Sequence, residues 1–347
     1  MIAASTIPGQ LKPLPARSRW QQALAEAIVD PVELCEILGL DAAWAQSAAA
    51  AAADFPLRVP RGFVDRMRRG DPRDPLLLQV LPLSEELRPA AGFTADPVGD
   101  MDSKTGAGLL HKYAGRVLLV ATGACAVHCR YCFRRHFPYG EESPLAAGWS
   151  ATLDQLRTDT SISEVILSGG DPLSLSDRRL QQLTDALAAL PHVRRLRIHT
   201  RYPVVLPERV DAGLLQWLNG VRLQKIVVIH ANHAQELDEN VRRACADLAA
   251  TGATVLNQSV LLAGVNDDVA VLAELSEALF AMHVLPYYLH VLDRVAGAAH
   301  FDIDEARAVE LHTGLSARLP GYLLPRLVRE VPGAASKTPV TPHKGSY

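Results

Sequence analysis

The stretch Cys125-Ala126-Val127-His128-Cys129-Arg130-Tyr131-Cys132 gathers three of the chain's five cysteines, spaced x3 then x2. Three thiolates on one short loop can hold three corners of an iron–sulfur cubane, whereas full protein ligation takes four. The remaining iron is open to a small molecule, and that opening makes a cluster a reagent rather than a wire. Two readings compete. A structural zinc site is usually closed by four ligands, the fourth here being His128 or His136. A redox loop needs only C-x-x-C and leaves one cysteine surplus. The spacing favours the open cluster.

A loop of this kind needs a frame. The apolar run Val117-Leu118-Leu119-Val120 precedes it directly. Strand-like runs follow at 116–121, 164–167, 195–199, 225–230, 254–260 and 286–291, separated by helical patterns at 153–158, 177–190, 207–217, 234–250, 269–282 and 304–319. Six β-rich runs alternating with helices imply parallel strands joined by right-handed crossovers. The expected fold class is α/β, a partial (βα)6 TIM-like barrel, with its chemistry at the C-terminal strand ends. Cys125 follows the first of these strands and Gly169-Gly170-Asp171 the second. The expected organisation is a helical N-terminal region over 1–110, the barrel over 111–320 and a C-terminal segment over 321–347. Helix formers at 20–29, 31–38 and 42–53 support the first of these.

The bulk numbers exclude several classes. Thirty-five basic against 38 acidic residues leave no basic surface for nucleic acid or an acidic membrane. No apolar run reaches bilayer-spanning length. Met1 to Pro15 lacks the charged-then-apolar order of a signal peptide, and an odd cysteine count clustered at one locus is no disulfide framework. The cytoplasm is the expected compartment; Cys35 and Cys245 receive no role.

Other motifs have a structural and a chemical reading each. Gly169-Gly170-Asp171 is either a βα turn capped by Asp171 or a close backbone approach to a ligand with a carboxylate for its amine. Arg130, Arg134 and Arg135 either compensate an anionic cluster or grip a substrate carboxylate bidentately. Lys337, preceded by Gly333-Ala334-Ala335-Ser336, is either a solvated tail lysine or an amine carried inward, where desolvation lowers its pKa and permits a Schiff base.

The C-x3-C-x2-C loop and Gly169-Gly170-Asp171 resemble the signature of the radical S-adenosylmethionine enzymes. From about residue 93 to 340 the chain is similar to the lysine 2,3-aminomutase family. The motifs that carry this are His111-Lys112-Tyr113, Cys125 to Arg135, Ser168 to Asp171, His230-Ala231-Asn232-His233, Asn257 to Leu262, Gly264-Val265-Asn266-Asp267, Pro286-Tyr287-Tyr288 and the tail at Lys337-Thr338-Pro339. The resemblance implies a [4Fe-4S] cluster on Cys125, Cys129 and Cys132. It places S-adenosylmethionine at Gly169, Gly170, Asp171, Tyr131, His230 and Gln258, and pyridoxal 5′-phosphate on Lys337 as an aldimine. Lys112 and Arg116 would meet its phosphate. Arg134 would hold the lysine carboxylate, and Asp293 and Glu330 the distal ammonium; Glu330 stands where the family pattern has aspartate.

The activity implied is isomerisation of L-α-lysine to (R)-β-lysine by radical 1,2-amino migration, with a reducing protein as electron donor. The short tail after Lys337 and the run Leu289 to Val295 resemble the branch that supplies β-lysine for modification of elongation factor P, where a separate lysyl ligase attaches it. A general lysine or other amino acid 2,3-aminomutase is the enzymatic alternative. An iron–sulfur electron carrier is the non-enzymatic one, and it would need neither Gly169-Gly170-Asp171 nor Lys337.

Overall fold

The computed structural model describes residues 18–106, 108–142 and 149–341. The segment Met1 to Pro15, read above as free of a signal peptide, lies outside the described residues. Ten strands form one sheet in chain order. β1 (Lys104–Gly106) and β2 (Leu109–Tyr113) lead antiparallel onto β3 (Arg116–Thr122). Pairing is then parallel through β4 (Glu164–Gly169), β5 (Arg195–Thr200), β6 (Gln224–Ile229), β7 (Thr254–Val260), β8 (Leu285–His290) and β9 (Arg326–Arg329). β10 (Thr338–Pro339) turns back antiparallel on β9. The sheet curls without closing, because residues from β2 to β8 and Lys337 line one cavity while β1 and β10 stay unpaired with each other.

Six βα units build this wall, as the alternation predicts. The N-terminal region contributes α1 (Arg19–Ala25), α2 (Pro31–Leu38) and α3 (Ala42–Asp54). The crossover helices are α4 (Ser150–Thr158), α5 (Asp177–Ala188), α6 (Ala212–Gly220), α7 (Glu239–Ala250), α8 (Val269–Ala281) and α9 (Glu305–Arg318). Five of the crossovers start at a residue whose side chain accepts from the first turn: Ser176, Asp211, Asp238, Asp268 and Asp304. Such caps satisfy otherwise orphaned N–H groups, worth about 1 kcal/mol each. β9 and β10 extend the sheet beyond the six expected strands. β9 is four residues flanked by arginines and follows Pro325, so it carries too little apolar alternation to stand out.

The helical N-terminal region packs on the barrel rather than beside it. Trp20, Leu34, Leu38, Ala48, Leu76, Leu77 and Leu81 share one continuous core with Leu119, Leu167 and Val227 of the strands. Each fully buried leucine contributes roughly 1.5–3 kcal/mol of transfer free energy. α1 ends earlier than its expected limit at Val29, because Ile28 leaves the helix to pair with Val59. Among the described residues no helix is long and apolar enough to cross a membrane.

Candidate active site

Cys125, Cys129 and Cys132 leave the end of β3 and line one cavity of about 160 Å³ together with Gly169, Gly170, Asp171, Tyr131, Arg201 and Asn232. The loop that carries them is bolted from below. Arg130 is fully buried, and its Nε and Nη2 donate to the two oxygens of Glu86 at 2.8 and 2.5 Å. Its Nη1 donates to the Phe55 carbonyl at 2.8 Å, and its backbone N–H donates to Gln79 at 2.9 Å. Arg135 shares Glu86, with Nη2 at 2.9 Å. Arg130 therefore does neither of the jobs the sequence suggested for it: with Arg135 it clamps the cysteine loop to the N-terminal region, while Arg135 also brings positive charge to the Cys132 thiol, as compensation requires.

The zinc alternative loses its fourth ligand. His128 stacks on Phe55 and its Nδ1 lies 2.9 Å from the Pro56 carbonyl, while His136 Nε2 lies 3.2 Å from the Ala296 carbonyl. Neither lines the cysteine cavity. Among the described residues no three His, Cys, Asp or Glu groups converge on one metal position. Three thiols lining one cavity are a donor set that suits a cubane, whose three ligated irons sit at separate corners. Burial pushes the Cys132 thiol up to about 11, helped by Cys129, and raises the Cys125 thiol well above its ordinary value. Metal loading would therefore displace protons from these sulfurs.

Gly169 and Gly170 are required by their neighbours. A Cβ on Gly169, whose φ is +117°, would sit 2.6 Å from the Thr122 carbonyl oxygen; one on Gly170 would sit 2.5 Å from that of Ala124. Without side chains the β4 loop docks on the cysteine loop, with Gly170 N–H on Thr122 at 2.7 Å and Asp171 N–H on Ala124 at 2.8 Å. The Asp171 carboxylate accepts from Leu173 N, Thr200 Oγ1 and Arg201 N at 2.6–3.0 Å. Its oxygens are thus taken within the fold, and capping is the work its side chain performs. Tyr131 is likewise pinned, its hydroxyl accepting from Asn232 Nδ2 at 2.7 Å.

A second cavity, about 200 Å³, adjoins the first and holds Lys337, Lys112, Tyr113, Arg116, Tyr287, Tyr288 and Glu330. Phe133, Arg134, Ser168, His199, His230, Gln258, His290 and Asp293 line both, so the two are halves of one chamber. Alternating charges cross its lysine half. Arg134 Nε lies 2.6 Å from Asp100 Oδ2, Lys112 Nζ 2.7 Å from Asp100 Oδ1 and 3.4 Å from Glu330 Oε1, and Lys337 Nζ 2.6 Å from Glu330 Oε2. Burial works against the ionised Glu330, but Lys337 and Lys112 hold its carboxyl below the usual range. Arg134 also donates Nη1 to Ser168 Oγ at 3.1 Å, and its Nη2 makes no hydrogen bond among the described residues. The Asp293 carboxylate has no hydrogen-bond or ion-pair partner among them, and burial pushes it up to about 7 against the pull of Lys337. Arg116 lies over the Tyr113 ring at 4.7 Å and has no ion-pair partner among the described residues.

Between the halves lies a layer of histidines. The Nε2 atoms of His199, His230 and His290 and Oε1 of Gln258 are buried without hydrogen-bond partners. Burial, reinforced by neighbouring positive charge, brings His230 down to about 4 and the other two well below their ordinary value. They stand as neutral imidazoles with unmet hydrogen bonds, a lining suited to polar ligands.

Lys337 thus comes inward, and the structure brings it into one chamber with the candidate cluster, S-adenosylmethionine, phosphate and substrate residues, but not with His128, His136, Arg130 or Arg135. Sequence reasoning missed Asp100, His199, Arg201, Tyr287, Tyr288 and His290 as chamber residues. A signal existed: in β5 the alternation buries Leu196 and Ile198 outside and turns Arg197 and His199 into the chamber.

No protein-family model matches the chain. It is 47% identical over 327 residues to the L-lysine 2,3-aminomutase of Escherichia coli K12, covering 94% of this chain and 95% of that protein. It is 45% identical to the L-lysine 2,3-aminomutase of Haemophilus influenzae, over 92% of this chain and 94% of that protein. To that of Clostridium subterminale it is 38% identical, over 79% of this chain and 66% of that protein. Among solved structures it is similar to a radical SAM methyltransferase from Sphaerobacter thermophilus, with a TM-score of 0.42, 18% identity and coverage of 64% of this chain and 68% of that one. With identity this high over nearly the whole of two curated relatives, the chain belongs to the L-lysine 2,3-aminomutase family.

Proposed function

We propose that this protein is an isomerase that converts L-α-lysine to (R)-β-lysine with a [4Fe-4S] cluster, S-adenosylmethionine and pyridoxal phosphate. One observation carries the reading: a three-cysteine loop and an inward lysine open onto a single chamber from opposite sides. An electron carrier has no use for the lysine half. Cluster and S-adenosylmethionine together supply a radical able to remove an unactivated hydrogen, and pyridoxal phosphate supplies a conjugated system across which an amino nitrogen can shift.

The polypeptide holds and orients. Cys125, Cys129 and Cys132 would hold the cluster. The Gly169-Gly170 backbone beside Asp171, together with Tyr131, His230 and Gln258, would receive S-adenosylmethionine. Lys337 would hold pyridoxal phosphate, with Arg116 as the cation free for its phosphate and Lys112 beside it. Arg134, fixed on one edge by Asp100, offers its Nη2 to a substrate carboxylate. Asp293 and Glu330 would take the distal ammonium. The Lys337 ammonium resting 2.6 Å from Glu330 is an example of the group that this carboxylate accepts.

Within this reading the product serves the modification of elongation factor P, which a separate ligase completes. The similarity of Leu289 to Val295 to that branch supports this over general metabolism. Anaerobic reconstitution with iron, sulfide, S-adenosylmethionine, pyridoxal phosphate and L-lysine, followed by chiral analysis, tests the chemistry: (R)-β-lysine is expected, and unchanged lysine in the presence of an assembled cluster contradicts it. Deletion of the gene should remove the β-lysyl mass increment from elongation factor P; an unchanged increment rejects that destination.

A further inference from the structure

Arg201 has no place in the function so far, yet it touches a cysteine sulfur of the loop. It stands just past the end of β5 and is 5% exposed. Its Nη1 donates to Cys129 Sγ at 2.7 Å. Its Nη2 donates to Glu236 Oε2 at 3.0 Å and to Gln79 Oε1 at 2.6 Å. Glu236 is wholly buried and held from its other oxygen by the backbone N–H groups of Asn232 and His233 at 2.8 and 3.1 Å. The guanidinium cannot swing away without leaving Glu236 Oε2 unpaired in a buried site. Among the described residues no other side chain donates to a sulfur of the loop, so the three cysteines are not equivalent.

A hydrogen bond and a positive charge on a ligating sulfur act on a cluster in a known direction. One-electron reduction adds a negative charge, which a nearby N–H donor cation stabilises, so the reduction potential rises. A carboxylate behind that cation offsets part of its effect. We infer that Arg201 sets the reduction potential of the cluster through Cys129, with Glu236 as its counterweight. This rests on the cluster assignment proposed above. It makes Arg201 a positioning and tuning residue, distinct from the ligands and from any group that meets substrate.

A purely structural role predicts a different result. The backbone N–H of Arg201 donates to Asp171 at 2.6 Å, and a side-chain change leaves that bond in place. The experiment is a redox titration with dithionite as electron donor, followed by electron paramagnetic resonance, on anaerobically reconstituted full-length protein. Arg201→Gln should keep the iron and sulfide content of the unmodified chain. At the unmodified midpoint its reduced-to-oxidised ratio should fall about tenfold, a 59 mV lowering for one electron. Arg201→Lys, which keeps the charge but loses the fork, should lie between. Glu236→Gln should move the midpoint upward, and it decides the matter if Arg201→Gln loads no cluster. A fully loaded Arg201→Gln protein with an unchanged midpoint overturns the inference, as does a downward shift in Glu236→Gln. If the unmodified chain assembles no cluster, it is the cluster assignment that falls.

Discussion

The two halves of the chamber are held by different means. On the cysteine side the framework is complete without a ligand: Asp171 is saturated by donors of the fold, Glu86 is locked by Arg130 and Arg135, and the glycines weld two loops together. On the lysine side the chain from Arg134 to Lys337 runs through ion pairs between groups that a charged ligand can also engage. Among the described residues the Asp293 carboxylate and Arg116 have no ion-pair partner, and the histidine Nε2 atoms have no hydrogen-bond partner. One side is rigid before any ligand arrives; the other keeps charged groups that an incoming ligand can engage.

Substitutions that break each half should therefore fail differently. The largest effects are losses of a whole half. Cys129→Ala should hold no cluster and give no turnover, read as iron content and the brown absorbance after reconstitution. Lys337→Ala should retain the cluster but lose turnover, and after gel filtration it should lack the pyridoxal absorbance that the proposed function expects of the unmodified protein.

Next comes the clamp. Glu86→Ala leaves two buried guanidinium groups without their carboxylate and should cost about 3–5 kcal/mol of stability, measured by urea unfolding. Its loaded fraction should fall with it. Asp100→Asn on the other side should also cost stability, because Asp100 is as buried as Glu86 and Arg134 loses its carboxylate. It should in addition lower kcat/KM for lysine by about 10–100-fold, or roughly 1.4–2.7 kcal/mol of lost transition-state binding, because Arg134 and Lys112 lose their shared anchor. An unchanged kcat/KM in the folded fraction of Asp100→Asn would erase the contrast.

The mildest effect is a pH dependence. Burial places the Asp293 carboxyl at about 7, so it is largely protonated below that pH and ionised above it. Binding of a distal ammonium should strengthen as pH rises through 7, with KM for lysine rising up to tenfold per unit on the acid side. Stability has the opposite sign: a carboxyl raised from 3.8 costs folding free energy as pH climbs from about 4 towards 7. Asp293→Asn should flatten both profiles, and a KM profile unchanged by it would refute the assignment.

Much of this was legible in the chain. The barrel followed from six strand-like runs, because parallel strands buried on both faces read as apolar segments of β-branched residues. The cysteine loop followed from spacing, and its place at a strand end from the barrel rule. Illegible were the long-range ionic partners. Nothing near Arg130 in sequence points to Glu86, nor near Arg134 to Asp100, because such pairs depend on how the N-terminal region folds back on the barrel. Arg201 and Glu236 are separated by a helix and a strand and meet only through packing. The role of Arg130 went astray for the same reason, since its local context is the cysteine loop and Glu86 lies 44 positions earlier.

The central claim is that the two halves act on one molecule in one chamber. Single turnover with L-lysine deuterated at Cβ, under reducing anaerobic conditions, tests it most directly. The expected result is deuterium in the 5′-deoxyadenosyl product or returned to β-lysine, with none transferred in Lys337→Ala. Cleavage of S-adenosylmethionine with no deuterium transfer, or with transfer undiminished in the Lys337 variant, would contradict it.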